Sequence, residues 1–152
     1  MNSSNIFFET QETPEIIIGK LKKGEWNDIL NSLCKVDANS MYLNYIYFKY
    51  FATKETYGIL TNYIMSHINT ILLEYDTFTV HVNMKTLTVL EIDKHMTFIQ
   101  SISALLKETY SNKMNKCYVY NATFVFSKVL KLVSLFIDPE TQQKIELVTK
   151  IH

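Results

Sequence analysis

Apolar positions along the chain follow two alternating rhythms, one of about two residues and one of about 3.6 residues. "TFTVHV" sends Phe78, Val80 and Val82 to one face of a strand and Thr77, Thr79 and His81 to the other. Helical spacing sets Trp26, Ile29, Leu30 and Leu33 on one face of "GEWNDILNSLCK", with Trp26 as the anchor on the core. Leu60, Ile64, Ile68, Ile71 and Leu72 make a second stripe, on a helix with Thr53 as N-cap and Glu55 in its first turn. Phe98, Ile99, Ile102, Leu105 and Leu106 make a third, and Val125, Val129, Leu132, Val133 and Phe136 a fourth. Between and around these, "EIIIG", "SMYLNYIYFKYF" (Ser40 to Phe51), "KCYVYN" and "IELVTKI" read as strands, rich in branched and aromatic residues.

Strands alternating with helices predict an α/β fold, a mostly parallel sheet with right-handed crossovers. Residues 1–13 are polar and expected to be loosely held, apart from Ile6-Phe7-Phe8, which can dock; residues 14–152 read as one domain. Composition agrees. The chain has 152 residues, 47% hydrophobic, with only 3 glycines and 2 prolines, so one substantial core is expected and no linker.

The formal charge is zero and every basic residue is a lysine. Without arginine there is no bidentate fork for phosphate or guanine, and a neutral domain offers no electrostatic footprint for nucleic acid. "KCYVYNATFVF" also lacks the glycines of an RNA-recognition strand. Abundant lysine, asparagine, isoleucine and tyrosine suit translation of an AT-rich gene of viral or protist type.

Cys34 and Cys117 have no metal-ligand spacing and read as free buried thiols in a reducing, cytoplasmic setting. The start lacks the pattern of a signal peptide, and no apolar run reaches the length of a membrane span. His81, His95 and His152 share no zinc spacing; His67 reads as a hydrogen-bonded core histidine; "LEIDKH" reads as a solvated helix start. Ser127 and Ser134 have no neighbouring base. No catalytic residue, metal or cofactor is expected.

The order of elements from about Thr53 to Val148 resembles the CRAL-TRIO lipid-binding domain. The family's strand ending Asp-Leu-x-Gly falls at Asn83-Met84-Lys85-Thr86. Its Tyr-Pro-Glu-Arg and Gly-Lys turn falls at Tyr110-Ser111-Asn112-Lys113 and Met114-Asn115-Lys116. Asn-Ala-Pro is matched by Asn121-Ala122-Thr123, and Leu-Asp-Pro-x-Thr with Lys-Ile by Ile137-Asp138-Pro139-Glu140-Thr141 and Lys144-Ile145. In this reading Asn121 satisfies local backbone where its strand ends, Thr123 caps the next helix, and Asp138-Pro139 stops it.

The resemblance implies that "TFVFSKVLKLVSLF" is a gate over an acyl-chain cavity. The positions that carry the head-group glutamate and lysine in phosphatidylinositol-binding members are Ser101 and Ser134 here, so that charge pair is not carried over. The family's C-terminal closing segment and N-terminal helical segment are expected to be absent or reduced.

The function implied is that of a non-enzymatic domain binding a hydrophobic small molecule, a lipid, in an apolar enclosure of Phe78, Val80, Tyr118, Tyr120, Val129, Leu132, Val133 and Phe136. Peripheral membrane contact is compatible with that role. The alternative is a ligand-free adaptor in which an uncovered apolar face binds a protein partner or a second copy.

Overall fold

The structure, a computed structural model, describes residues 7–8, 12–122 and 124–148. Its elements in chain order are helices α1 (Pro14–Lys22) and α2 (Trp26–Leu33), strands β1 (Cys34–Asp37) and β2 (Ser40–Asn44), and helices α3 (Tyr45–Phe51) and α4 (Tyr57–Leu72). Then come β3 (Phe78–Asn83), α5 (Val89–Lys94), α6 (Met96–Thr109), β4 (Met114–Tyr120), α7 (Phe126–Val133), α8 (Pro139–Gln142) and β5 (Ile145–Val148). The five strands lie in sequence order; β1 and β2 are antiparallel, and β2 through β5 are parallel. The α/β expectation and the mostly parallel sheet hold.

Three local expectations do not. "EIIIG" belongs to α1, because capping overrides its β-branched run: the Thr13 hydroxyl accepts from the Ile16 amide, Pro14 stands at the helix start, and Lys20 and Lys22 occupy the last turn. Only Ile17 of that run is buried. The Ser40–Phe51 segment is a strand only as far as Asn44. Its remainder turns helical, buries Tyr45, Ile46, Tyr47 and Phe51, and packs against α1 and α2, a tertiary demand that outweighs β propensity. Helix α4 starts after Thr56, whose hydroxyl accepts from the Thr53 amide at 2.8 Å and donates to the Phe51 carbonyl at 2.9 Å. Thr53 and Glu55 therefore lie in the preceding turn.

The predicted stripes of α2, α4 and α6 are otherwise where the core is. Ile29, Leu30, Leu33, Leu60, Ile64, Ile68, Ile71 and Phe98 are buried in one cluster with Met41, Phe78 and Val80 of the sheet. Trp26 covers rather than anchors: it is 42% exposed and stands edge-on to buried Phe51, centroids 5.3 Å apart. Leu105 is at the exposed margin of α6. A smaller cluster of Ile92, Val119, Ala122 and Val125 forms under α7.

Asn121 ends β4 with φ +61°, a left-handed conformation in which asparagine is among the tolerated residues. Its side chain makes a long-range contact. It reaches across the sheet and donates from Nδ2 to Asn83 Oδ1 at 2.8 Å. Asn121→Ala is expected to lose about 1–3 kcal/mol, combining the left-handed penalty with the hydrogen bond. Asn121→Gly should recover the backbone share, as urea titration of both variants would show. Thr123 and the end of "IELVTKI" lie outside the described residues. Asp138 does not merely end a helix: α7 is over by Val133, and the Asp138 carboxylate caps α8 by accepting from the Thr141 amide at 2.7 Å.

Candidate functional site

Inward alternation on the parallel strands brings Met41 and Leu43, Phe78, Val80 and Val82, Cys117 and Val119, and Ile145 to one side of the sheet. Ile64 and Ile68 of α4, Phe98, Ile99, Ile102 and Leu106 of α6, and Phe126, Val129, Leu130 and Val133 of α7 face them. The layers pack together over part of their area and stand apart over the rest. They leave a cavity of about 370 Å³ whose wall is almost wholly apolar.

Helix α7 is the decisive wall. It is strongly amphipathic, yet none of its residues is fully buried: Phe126, Val129 and Leu132 pack in part against the Ile92–Val119 cluster, and the apolar face also borders the cavity. Elsewhere in a protein such a face is packed at crystal-like density. Large apolar side chains bracket it: Phe124 is 96% exposed before it and Leu135 76% exposed after it. A Lys128–Asp93 ion pair at 3.0 Å ties α7 to α5.

The CRAL/TRIO domain profile matches residues 27–151. The chain belongs to the CRAL/TRIO domain family. This family generally binds lipophilic ligands, and its domains are typically non-catalytic. In fold, the domain is similar to the crystal structure of Sfh5, with a TM-score of 0.64 over 76% of this chain. The two are 17% identical, and the match spans 46% of the Sfh5 chain. No curated protein matches the chain in sequence.

Of the residues read from the sequence as apolar enclosure, Phe78, Val80, Val129 and Val133 line the CRAL/TRIO cavity. Tyr118 and Tyr120 do not. They lie on the opposite face of the sheet, where His81 stacks between Tyr42 and Tyr118 at 4.6 and 5.2 Å and shares a 2.7 Å hydrogen bond with the Tyr120 hydroxyl. Leu132 packs beside the Ile92–Val119 cluster, and Phe136 lies in a turn past α7, its amide bonded to the Val133 carbonyl; neither lines the cavity. Ser101 is exposed, and the Ser134 hydroxyl bonds to the Lys131 carbonyl of its own helix.

Polar side chains stand at both ends of the cavity. After the carboxyl ends of β2 and β3, Asn44, Tyr45, Glu91 and His95 reach it. The "LEIDKH" segment is no solvated helix start. Thr88 and Glu91 form a reciprocal cap, and Glu91 also accepts the Tyr45 hydroxyl at 2.8 Å and meets Lys49 at 3.5 Å. Burial pushes the Glu91 carboxyl up, but Tyr45, the Thr88 amide and Lys49 outweigh it and hold it below its ordinary value. His95 is buried, with Nδ1 2.6 Å from the Tyr57 hydroxyl. Among the described residues Asn44 Nδ2 and His67 Nε2 are buried without a partner, and the His67 ring meets Tyr63 edge-on. The hydrogen bond expected of His67 is therefore not made at Nε2 among the described residues. At the other end stand Lys107, Ser111, Asn112, Thr141 and Lys144.

Cys34 and Cys117 are unpaired, and burial pushes both thiols up to about 12. Among the described residues no group of His, Cys, Asp and Glu is set to hold a metal ion, and no helix is long and apolar enough to cross a membrane.

The histidines give the fold a pH dependence. Burial lowers the proton affinity of His67, His81 and His95 below the ordinary 6.5; at His95, Lys94 adds to this and Glu91 opposes it. The unfolded chain therefore binds more protons once pH falls to about 6.5, and stability drops from there toward the lower folded values. Glu91 adds stability that is present above its ordinary 4.5 and is lost as pH falls through its lower folded value. The thermal midpoint should thus be lower at about pH 5.5 than at about pH 7.5; equal midpoints would mean that the three rings titrate alike in both states.

Proposed function

We propose that this CRAL/TRIO domain is a non-enzymatic binder of one lipophilic molecule, held between the sheet and α7. The observation that carries the reading is the amphipathic α7, apolar toward the cavity and nowhere fully buried. A bound apolar chain supplies the contacts that face lacks; shape and desolvation provide the affinity, while a few polar groups at the ends fix orientation. The enclosure proposed is Phe78 and Val80 with Val129 and Val133, extended by Ile68, Ile102 and Val119. Phe124 and Leu135, exposed at either end of α7, suit brief contact with a lipid surface while the ligand passes.

The test is a titration of the delipidated chain with a polarity-sensitive dye such as anilinonaphthalene sulfonate, followed by displacement with 1-hexadecanol or palmitate. Saturable binding at one site per chain, lost on competition, is the expected result. Dye uptake that neither competitor reverses would refute the reading.

A further inference from the structure

The two ends of the cavity differ in electrostatics. At the end reached by Asn44, Glu91 and His95 the charges are already matched: Lys49 is paired with Glu91, and His95 is bonded to Tyr57. An anion placed there would confront the Glu91 carboxylate. At the opposite end Lys107, in the last turn of α6, and Lys144, just ahead of β5, both line the wall. Among the described residues neither takes part in an ion pair.

The Asp138 carboxylate lies within electrostatic reach of both. Its hydrogen bonds with Thr141 hold it below the ordinary carboxylate range, and the charges of Lys107 and Lys144 add to this. With one oxygen engaged by the Thr141 amide at 2.7 Å, it caps α8. Both charged side chains that line the cavity at this end are thus positive.

We propose that the cavity takes a single-chain amphiphile with an anionic head, a long-chain carboxylate, with the head between Lys107 and Lys144 and the tail running toward His95. This deepens the lipophilic-ligand reading above and rests on it. Three observations select the class. The volume of about 370 Å³ is near the bottom of the ~300–1,000 Å³ range of small-molecule sites, which suits one chain and not a two-tailed lipid. The head-group end has lysines, compact point charges without the planar fork that favours phosphate, in a chain that has no arginine. At the opposite end the Glu91 charge is already matched by Lys49, so a methyl terminus there displaces no unpaired charge.

The experiment compares palmitate, 1-hexadecanol and hexadecyl phosphate on the delipidated full chain by dye displacement, in the parent and two variants. Palmitate is expected to bind more tightly than the alcohol. Lys107→Met with Lys144→Met should weaken palmitate about tenfold, at roughly threefold for each solvent-accessible pair, and weaken hexadecanol far less. Asp138→Asn, which retains a capping side chain, should instead tighten palmitate a few-fold and leave the alcohol alone. Raising the salt should shrink each difference.

Equal affinity for palmitate and hexadecanol, indifferent to the lysines and to Asp138, would overturn the assignment while the lipophilic-ligand reading stands. Tighter binding of hexadecyl phosphate than palmitate would overturn the choice of carboxylate. Failure of all three to bind would remove both readings together. Thermal midpoints of the variants guard against misfolding, and the Asp138→Asn gain of affinity is a result that no unfolding can imitate.

Discussion

Val129→Trp is expected to weaken ligand uptake by about a hundredfold or more, equivalent to ~2.7 kcal/mol of binding free energy, with the fold intact. Val129 projects from α7 into the cavity between the sheet and α6. An indole there occupies the volume the ligand needs. In a filled core the same change would force strained rotamers and cost about 1–3 kcal/mol of stability. Over open space it should cost little and can add apolar contacts. Urea midpoint and ligand affinity measured on one preparation separate the cases. Binding retained with stability lost would mean that α7 closes on a packed core.

Phe51→Ala should have the largest effect on stability, a loss of about 3–5 kcal/mol, in line with truncation of a fully buried aromatic residue. Phe51 is 2% exposed at the end of α3, under the indole of Trp26. Removing it opens a void where α1, α2 and α3 meet, and exposes the inner edge of Trp26. Urea denaturation with tryptophan fluorescence reads both the energy and the local environment. A loss below about 1 kcal/mol would show that α3 is not a core element.

How far the sequence carries depends on which physical rule governs each segment. Helices α4 and α6 are legible because Leu60, Ile64, Ile68 and Ile71, and Phe98, Ile99 and Ile102, repeat at helical spacing over several turns, and a long periodic signal is hard to mistake. Short segments are not. The four-residue β1 is too brief to announce itself, and Tyr45–Phe51 has strand-forming residues throughout yet is helical because α1 and α2 offer it a surface. In "EIIIG" the decisive information lies outside the apolar run, in Thr13-Pro14 ahead of it and the lysines behind.

The site is half legible for a related reason. Alternation along "KCYVYN" separates Cys117 and Val119 from Tyr118 and Tyr120, but it does not say which set faces inward. Aromatic bulk favours the tyrosines. The register favours the smaller pair: Tyr118 lies directly beside His81, on the polar phase of β3, so both belong to the outer face. That pairing is the available signal. Extending one helix through the whole "TFVFSKVLKLVSLF" stripe draws Leu132 and Phe136 into the enclosure, whereas α7 is over by Val133 and the chain turns. Lys107 and Lys144 carry no local mark; only the tertiary fold brings them to the wall of one cavity.

Whether the sheet and α7 enclose a space meant for another molecule is tested most directly by native mass spectrometry of the freshly purified chain. A population one small lipophilic molecule heavier than the bare chain, reduced to the bare mass by solvent extraction and restored by adding palmitate, is the expected result. A chain found only at its bare mass, before extraction and after incubation with palmitate alike, would contradict it.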